Sequence, residues 1–328
     1  MAKRGIEIRA IHKVTIGDAF VEFINDKALQ GVVEKTLKNY VKSYHYFLEL
    51  EFDDDDTIDI NEVRKIYVQQ WVESLLEQGK RVTTINTYLR DVRVFLYWCM
   101  DDERRYIEMP YKITLIKGQE PLPKSFTDDE VALLLQKPTN LLDFVEWRTW
   151  VMVNWVLATG NRAATITEVR LEDLDFDSGR IALRHTKNKK AQIIDMADSI
   201  KPILREYIRA YRFNCPSYAY LFCDSTTGDK MSYNAVRQAF VRYCHARGVD
   251  KGNIHGLRHY FASRWVRNGG GGDKLQQVLG HSTYTMTQRY INLESDDLSS
   301  DFERFNPLNN IKKGSTRRKA VSYNGNKR

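Results

Sequence analysis

Three short stretches carry side chains that could work on a phosphate ester. The first is His255-Gly256-Leu257-Arg258-His259. On a helix, His255 and Arg258 share a face at a spacing of three. A guanidinium makes paired contacts to phosphate oxygens, and an imidazole exchanges protons near neutral pH. His255 and His259 are four apart, a zinc-pair spacing, but the HExxH mechanism needs glutamate where Gly256 stands. His259 therefore reads as a packing or supporting residue. The second stretch is Gly280-His281-Ser282, followed nine residues after His281 by Tyr290. Taken singly, such a tyrosine is a half-buried packing group and such a histidine a turn residue. The third is Thr159-Gly160-Asn161-Arg162, an arginine placed just after an apolar helical run, Val151 to Ala158. Alone it reads as a cation satisfying the last carbonyls of a helix.

The elements that must position these residues are mostly helical. From Thr15 to about Arg105 apolar residues recur at helical spacing: Phe20, Phe23 and Ile24, then Leu37, Tyr40, Tyr44 and Phe47. Four helices are expected, the first around Phe20 to Ile24 and the others near 33–50, 61–78 and 83–100. The run Asp53-Asp54-Asp55-Asp56 ends the second as a solvated loop, and Gly79 ends the third. Residues 111–125, with Gly118, Pro121 and Pro123, read as a linker. Thr127 with Glu130 is a capping box that opens a second domain. Its expected helices are 127–136, 143–158, 198–213, 232–247, 255–267 and 273–279. Two short strands, 180–185 and 191–195, flank a turn at Lys187-Asn188-Lys189-Lys190. Asp273 and Gln276 form a plausible second cap after Gly269-Gly270-Gly271-Gly272, which lacks the GKS/T of a P-loop. The expected class is mainly α with a small β-sheet. Residues 1–110 would form a helical bundle, 111–125 a linker, 126–307 a mixed α/β domain, and 308–328 a basic tail.

The chain has 328 residues, enough for about two domains at ~150 each. No apolar run approaches the ~20 residues of a membrane span, and the charged N-terminus lacks a signal peptide. A cytoplasmic protein without a membrane partner is expected. Cys99, Cys215, Cys223 and Cys244 form no CxxC pair, so neither zinc nor a redox motif is indicated. The net charge is +7, and seven lysines and arginines with no acid lie after Leu308. The basic excess therefore belongs to the tail, which could bind phosphates or serve as a solubilising end.

Read together, Ala158-Thr159-Gly160-Asn161-Arg162, His255-Gly256-Leu257-Arg258-His259-Tyr260-Phe261-Ala262, Leu279-Gly280-His281-Ser282 and Thr287-Gln288-Arg289-Tyr290 resemble the tyrosine recombinase (phage integrase) family in order and gaps. The resemblance covers about residues 15–300. It is motif-specific in the catalytic half and architectural in the helical half, with a two-domain layout of the Xer and Cre type. It implies that Arg162 and Arg258 clamp the scissile phosphate and that His281 adds a hydrogen bond. It implies that His255 helps remove the proton of Tyr290, which attacks phosphorus and forms a 3′-phosphotyrosyl bond. Lys187 would be the general acid for the 5′-hydroxyl, with Lys189 and Lys190 as alternatives on the same turn. No metal or cofactor is implied. The family usually has an acid three residues after the first arginine. Here that position is Thr165, with Glu168 the nearest acid. Tyr284 is the rival nucleophile, set only three residues from His281.

The helical half resembles the family's SAM-like core-binding domain, which with the catalytic domain would clamp double-stranded DNA. Lys35, Lys38 and Lys42 make a basic stripe on the second helix. Arg90 and Arg93 make another on the fourth, with Thr83, Thr84, Asn86 and Thr87 near its start. Such residues suit phosphate positioning and base reading; a solvated helix face is the other reading. The resemblance further implies a homotetramer on two sites. The segment Leu298 to Leu308, with Phe302, Phe305 and Pro307, would be exchanged with a neighbour or packed in cis. A type IB topoisomerase-like nicking-closing enzyme and a catalytically inactive DNA-binding relative are the competing readings.

Overall fold

In the computed structural model of the chain, Thr15 starts α1 (Ile16–Leu29) by accepting the Asp18 N–H at 3.0 Å. The structure describes residues 13–118, 125–184 and 191–294. It divides into two compact units, Met1–Leu122 and Pro123–Arg328.

The first unit is helical. α2 (Glu34–Phe52) stops where Asp53 and Asp54 turn left-handed, at φ 49° and 62°. The third helix starts later than the periodicity suggests. Asp59 caps a single 3-10 turn at Ile60–Glu62, and α3 (Lys65–Glu77) follows. α4 (Val82–Cys99) lies against α2 and α3. Phe20, Phe23, Phe47, Trp71 and Phe95 fill the space between the helices. The first half of the expected linker is fastened to this unit. The Tyr111 hydroxyl donates to the Val63 carbonyl, and the Asn86 amide both donates to and accepts from the backbone of Ile116. The Asn86 side chain is thus bonded to the chain's own backbone.

The second unit opens with α5 (Asp128–Leu134), whose capping box pairs Thr127 and Glu130 in both directions. α6 (Phe144–Thr159) is buried nearly all round, with Trp147, Val151 and Trp155 inaccessible. After α7 (Ala163–Ile166) come β1 (Leu174–Asp175), β2 (Arg180–Leu183) and β3 (Gln192–Asp195). They form an antiparallel sheet in the order β1-β2-β3, with Ile181 opposite Ile194. α8 (Lys201–Tyr207) runs into a wider π-type turn at Ile208–Arg212, where one continuous helix is expected from sequence. α9 (Tyr233–Ala246), α10 (Ile254–Arg267), α11 (Gly272–Leu279) and α12 (Thr285–Glu294) complete the described residues. α6 packs against α8, α9 and α10. The class is mainly α with a small sheet.

α7, β1 and α12 are too short or too weakly patterned to stand out in the sequence. Asp273 is no cap. Gly271 adopts the extended N-cap backbone, so α11 begins at Gly272 and Asp273 falls inside its first turn, beside the positive helix end. Among the described residues, no helix is long and apolar enough to cross a membrane.

Candidate active site

α6 ends in a corner held by buried polar bonds. The Thr159 hydroxyl donates to the Trp155 carbonyl, and the Trp155 indole N–H donates to Asn161 Oδ1 at 3.0 Å. Gly160 sits between them at φ 65°, ψ 11°, a conformation that costs an L-residue roughly 1–2 kcal/mol. A Cβ there would also lie 2.5 Å from the Phe261 ring and 2.7 Å from Leu279 Cδ2. Overpacking of that kind costs typically ~1–3 kcal/mol. Gly160→Ala is therefore expected to lower unfolding stability by roughly 2–5 kcal/mol, read as a drop in denaturant midpoint. An unchanged midpoint would contradict this account of the corner.

The corner delivers Arg162. It does not close the end of α6, as the sequence alone allows. It takes the extended N-cap position of α7 and lines the pocket described below. Arg258 enters from α10, whose start is fixed by Asn253 Oδ1 accepting the His255 N–H. The Arg258 guanidinium is 2% exposed and donates to two backbone carbonyls, Gly160 at 2.8 Å and Leu279 at 2.9 Å. Those bonds tie the α6–α7 corner and the end of α11 to one cation. Gly280, left-handed at φ 60°, turns the chain after α11 and presents His281. His281 Nδ1 lies 2.9 Å from the Thr287 hydroxyl on α12. Tyr290, one turn further on, is 5% exposed and packs with Ala262, Leu275 and Leu279.

Two pockets meet here, of about 620 and about 350 Å³, and both are lined by Arg162, Arg258 and His281. The smaller also takes in His255, His259, Arg289 and Tyr290. The larger reaches the sheet hairpin, where Gln192 Nε2 donates to the Gln277 carbonyl. Lys187, Lys189 and Lys190 belong to residues 185–190 of that hairpin, outside the described residues. The segment Leu298 to Leu308 and the basic tail also lie outside them.

The site is a cationic hollow. Among the described residues, no ion pair reaches Arg162 or Arg258, and no carboxylate lines the smaller pocket. Burial, and then the charge of Arg162, pushes Arg258 down to about 10. Burial likewise lowers Arg162. His281 is pushed down to about 4, first by burial and then by Arg258 and Arg162. His255 stands exposed on the rim. The protein crowded behind its ring, followed by His259, Arg258 and Arg162, still holds it well below the ordinary imidazole value. His259 is lowered by burial and then by Arg258. Burial raises the Tyr290 hydroxyl, against the pull of Arg258, Arg289 and Arg162.

These shifts have a pH consequence. An unfolded chain takes up protons on its histidines near pH 6.5, while folded His281 resists until about pH 4. Over that window the unfolded state binds more protons, so stability is full above about pH 6.5 and falls as the pH drops towards 4. A phosphate in the hollow favours the charged imidazoles. A phosphate diester added at pH 6 is therefore expected to bind with net proton uptake, measured by calorimetry in buffers of different ionisation heat. Proton release would contradict it.

The contacts of the site sort the remaining candidates. The Tyr290 hydroxyl is engaged by His259, whose Nδ1 is 2.7 Å away, and not by His255. The His255 ring sits edge-on to His259 at 4.7 Å between centroids. Thr165 is buried in the corner, and Glu168 does not support Arg162, because its carboxylate is paired with Lys230. Tyr284 is 42% exposed and outside the smaller pocket. Sequence reasoning passed over His259 and Thr287. The four-residue step from His255 was the signal for the first; the second was visible only as part of the Thr287-Gln288-Arg289-Tyr290 run.

In the helical unit, Lys42 on α2 and Thr83, Thr84 and Thr87 on α4 line one groove of about 420 Å³, together with Asn39 and Asp91. Lys42 lies over the Tyr88 ring. Asp91 accepts the Ser43 hydroxyl, and burial raises its carboxyl. Lys35 and Arg90 are exposed, Lys38 pairs with Glu34 at 2.7 Å, and Arg93 lies over the Tyr97 ring.

The chain matches the model of the phage integrase family over residues 124–296. It is 26% identical over 294 residues to tyrosine recombinase XerC of Thermodesulfovibrio yellowstonii, covering 87% of this chain and 95% of the relative. It is 25% identical over 301 residues to tyrosine recombinase XerD of Staphylococcus saprophyticus, covering 89% and 99%. Among solved structures it is similar to the Tn1549 transposon integrase in complex with transposon right end DNA. There the TM-score is 0.68 at 18% identity, over 89% of this chain and 99% of that one.

Proposed function

The chain belongs to the phage integrase family, and from that premise we propose that it is a site-specific recombinase that cleaves and rejoins DNA strands through a 3′-phosphotyrosyl bond to Tyr290. The observation that carries this reading is the buried Tyr290 beside a hollow lined by Arg162, Arg258, His255 and His281, with no carboxylate among the described residues that line it. Such a hollow is built to receive an anion.

The chemistry follows from what a phosphate diester resists. Its negative charge repels nucleophiles, and its alkoxide is a poor leaving group. Arg162 and Arg258 meet the first difficulty as preorganised cations whose attraction grows in a buried site. The Arg258 bonds to Gly160 and Leu279 hold its plane in place before substrate arrives. His281, oriented by Thr287, would give a further hydrogen bond to a non-bridging oxygen. Lys187 at the β2–β3 hairpin would protonate the leaving 5′-oxygen. The covalent link to Tyr290 stores the energy of the broken diester, so rejoining needs no nucleotide cofactor.

DNA as substrate is supported by the recombinase relatives and by the DNA held in the similar transposon integrase. In the helical unit, the groove with Lys42, Thr83, Thr84 and Thr87 is the surface that would face the duplex. Arg90→Ala is expected to weaken binding to the cognate site about tenfold, within the ~1–3 kcal/mol range of one good base or phosphate contact. Equal affinity at moderate salt would remove α4 as a reader. The active assembly would be a tetramer on two sites, with residues 298–308 docked into a neighbour.

The test maps covalent adducts on fragmented genomic DNA to find the site, then incubates two differently labelled duplexes that carry it. Recombinant joints between the labels are expected. Nicking and resealing within each label alone would indicate a topoisomerase-like enzyme, and no adduct on any fragment would leave a binding protein.

A further inference from the structure

We infer that His259 is the group that takes the proton from Tyr290 when the hydroxyl attacks phosphorus, and that His255, the histidine the family resemblance points to, does not make that contact. This rests on Tyr290 being the nucleophile.

The geometry separates the three histidines of the site. His259 Nδ1 lies 2.7 Å from the Tyr290 oxygen, within the range of a direct proton transfer. The two rings are tilted at 43° with centroids 5.6 Å apart, so the contact is edgewise through the nitrogen. His281 is near but committed. Its ring lies parallel to Tyr290 with centroids 6.5 Å apart, and its Nδ1 is taken by Thr287. His255 touches the edge of His259 and stands on the exposed rim.

His259 is also well placed to be fixed. It follows Arg258 directly on α10, so base and phosphate clamp move as one piece of helix. Among the described residues, the charged and titratable groups around it are His255 and Arg258 on its own helix, Arg289 and Tyr290 on α12, Arg162 from the α6–α7 corner, and His281 from the turn after α11. All but the tyrosine are basic. A neutral His259 is the form this surrounding favours, and with its proton on Nε2 it offers Nδ1 as an acceptor.

The step balances with groups already assigned. The Tyr290 O–H bond breaks and its proton passes to His259 Nδ1, giving an imidazolium. The freed oxygen forms the bond to phosphorus as the bond from phosphorus to the 5′-oxygen breaks. That oxygen takes its proton from the separate acid, Lys187 in the proposed mechanism. Rejoining runs the same path backwards. In the empty site an imidazolium at His259 is opposed by the charge of Arg258. A bound phosphate removes that opposition, so Tyr290 loses its proton only when DNA is in place.

Two measurements test this on the full chain. The first needs no DNA: NMR of protein labelled at the tyrosine Cζ carbon, with Tyr290 assigned by loss of its signal in Tyr290→Phe. His259→Gln is expected to move that signal, whereas His255→Gln leaves it in place. The second is the rate of covalent adduct formation against pH on a duplex carrying the mapped site. His259→Gln is expected to slow it by roughly 10²–10⁴-fold, the usual contribution of a general base. The rate should then climb with pH throughout, and added imidazole should partly restore His259→Ala. His255→Gln should be slower than the parent but keep its plateau. An adduct rate and pH profile for His259→Gln equal to the parent, or loss of the plateau in His255→Gln alone, would overturn the assignment to His259. No adduct from the parent chain would instead sink the nucleophile reading, and this proposal with it.

Discussion

Tyr290→Phe is expected to reduce covalent DNA adducts to background while duplex binding persists. The substitution removes one oxygen and keeps the ring. The ring packs with Ala262, Leu275 and Leu279 and is retained, so α12 should stay in place. The one broken contact is that to His259, and leaving a buried partner unpaired costs about 1–3 kcal/mol. That is small against the unfolding free energy of a typical domain, ~5–15 kcal/mol, so the variant should fold. It has no atom that can attack phosphorus. Tyr284→Phe serves as the control: Tyr284 is exposed and outside the pocket that holds Arg162 and Arg258, and its adduct yield should match the parent. The assay is a denaturing gel with a suicide duplex that cannot religate. Adducts persisting in Tyr290→Phe would dismiss this tyrosine as the nucleophile.

Arg258→Met should separate stability from activity. The arginine is 2% exposed and has no ion pair among the described residues, and taking such a cation out of water carries an effective cost of several kcal/mol. Its removal relieves that cost. Against this, the carbonyls of Gly160 and Leu279 lose their donor, at about 1–3 kcal/mol each. The two effects are of similar size and opposite sign, so unfolding stability should change by less than about 2 kcal/mol. Adduct formation should fall at least ~10²–10³-fold, the range for loss of one transition-state donor. A chemical denaturation curve and the adduct assay, run on the same preparation, check both halves. A collapse of stability with little loss of activity in the surviving folded protein would make Arg258 a structural residue.

The two variants probe different sources of information. Much of the scaffold was legible because its signals are local. Thr127 and Glu130 lie three residues apart, and their capping box needs only that spacing. The end of α2 follows from a run of aspartates that tolerates left-handed backbone. The elements that were missed have no such signal. α7 spans four residues and is started by the corner at Gly160. The π-type turn after α8 continues a helical pattern that gives no reason to widen. α11 starts at Gly272, ahead of the expected cap, because of the backbone taken by Gly271.

By itself the sequence determined which residues are candidates for the chemistry and in what order they come. Arg162, His255, Arg258, His281 and Tyr290 could be picked out because residue type and spacing are one-dimensional properties, and helical period and caps are set by near neighbours. Only the tertiary structure decided which of them touch. Arg258 finds its orienting carbonyls 98 and 21 residues away, and Tyr290 finds His259 31 residues away. Glu168 goes to Lys230, 62 residues on, and so does not serve Arg162. His255 and His259 are equivalent as letters four apart on one helix. What distinguishes them is that α12 packs across α10 so that the Tyr290 hydroxyl meets the second ring, a contact that exists only once the chain has closed on itself.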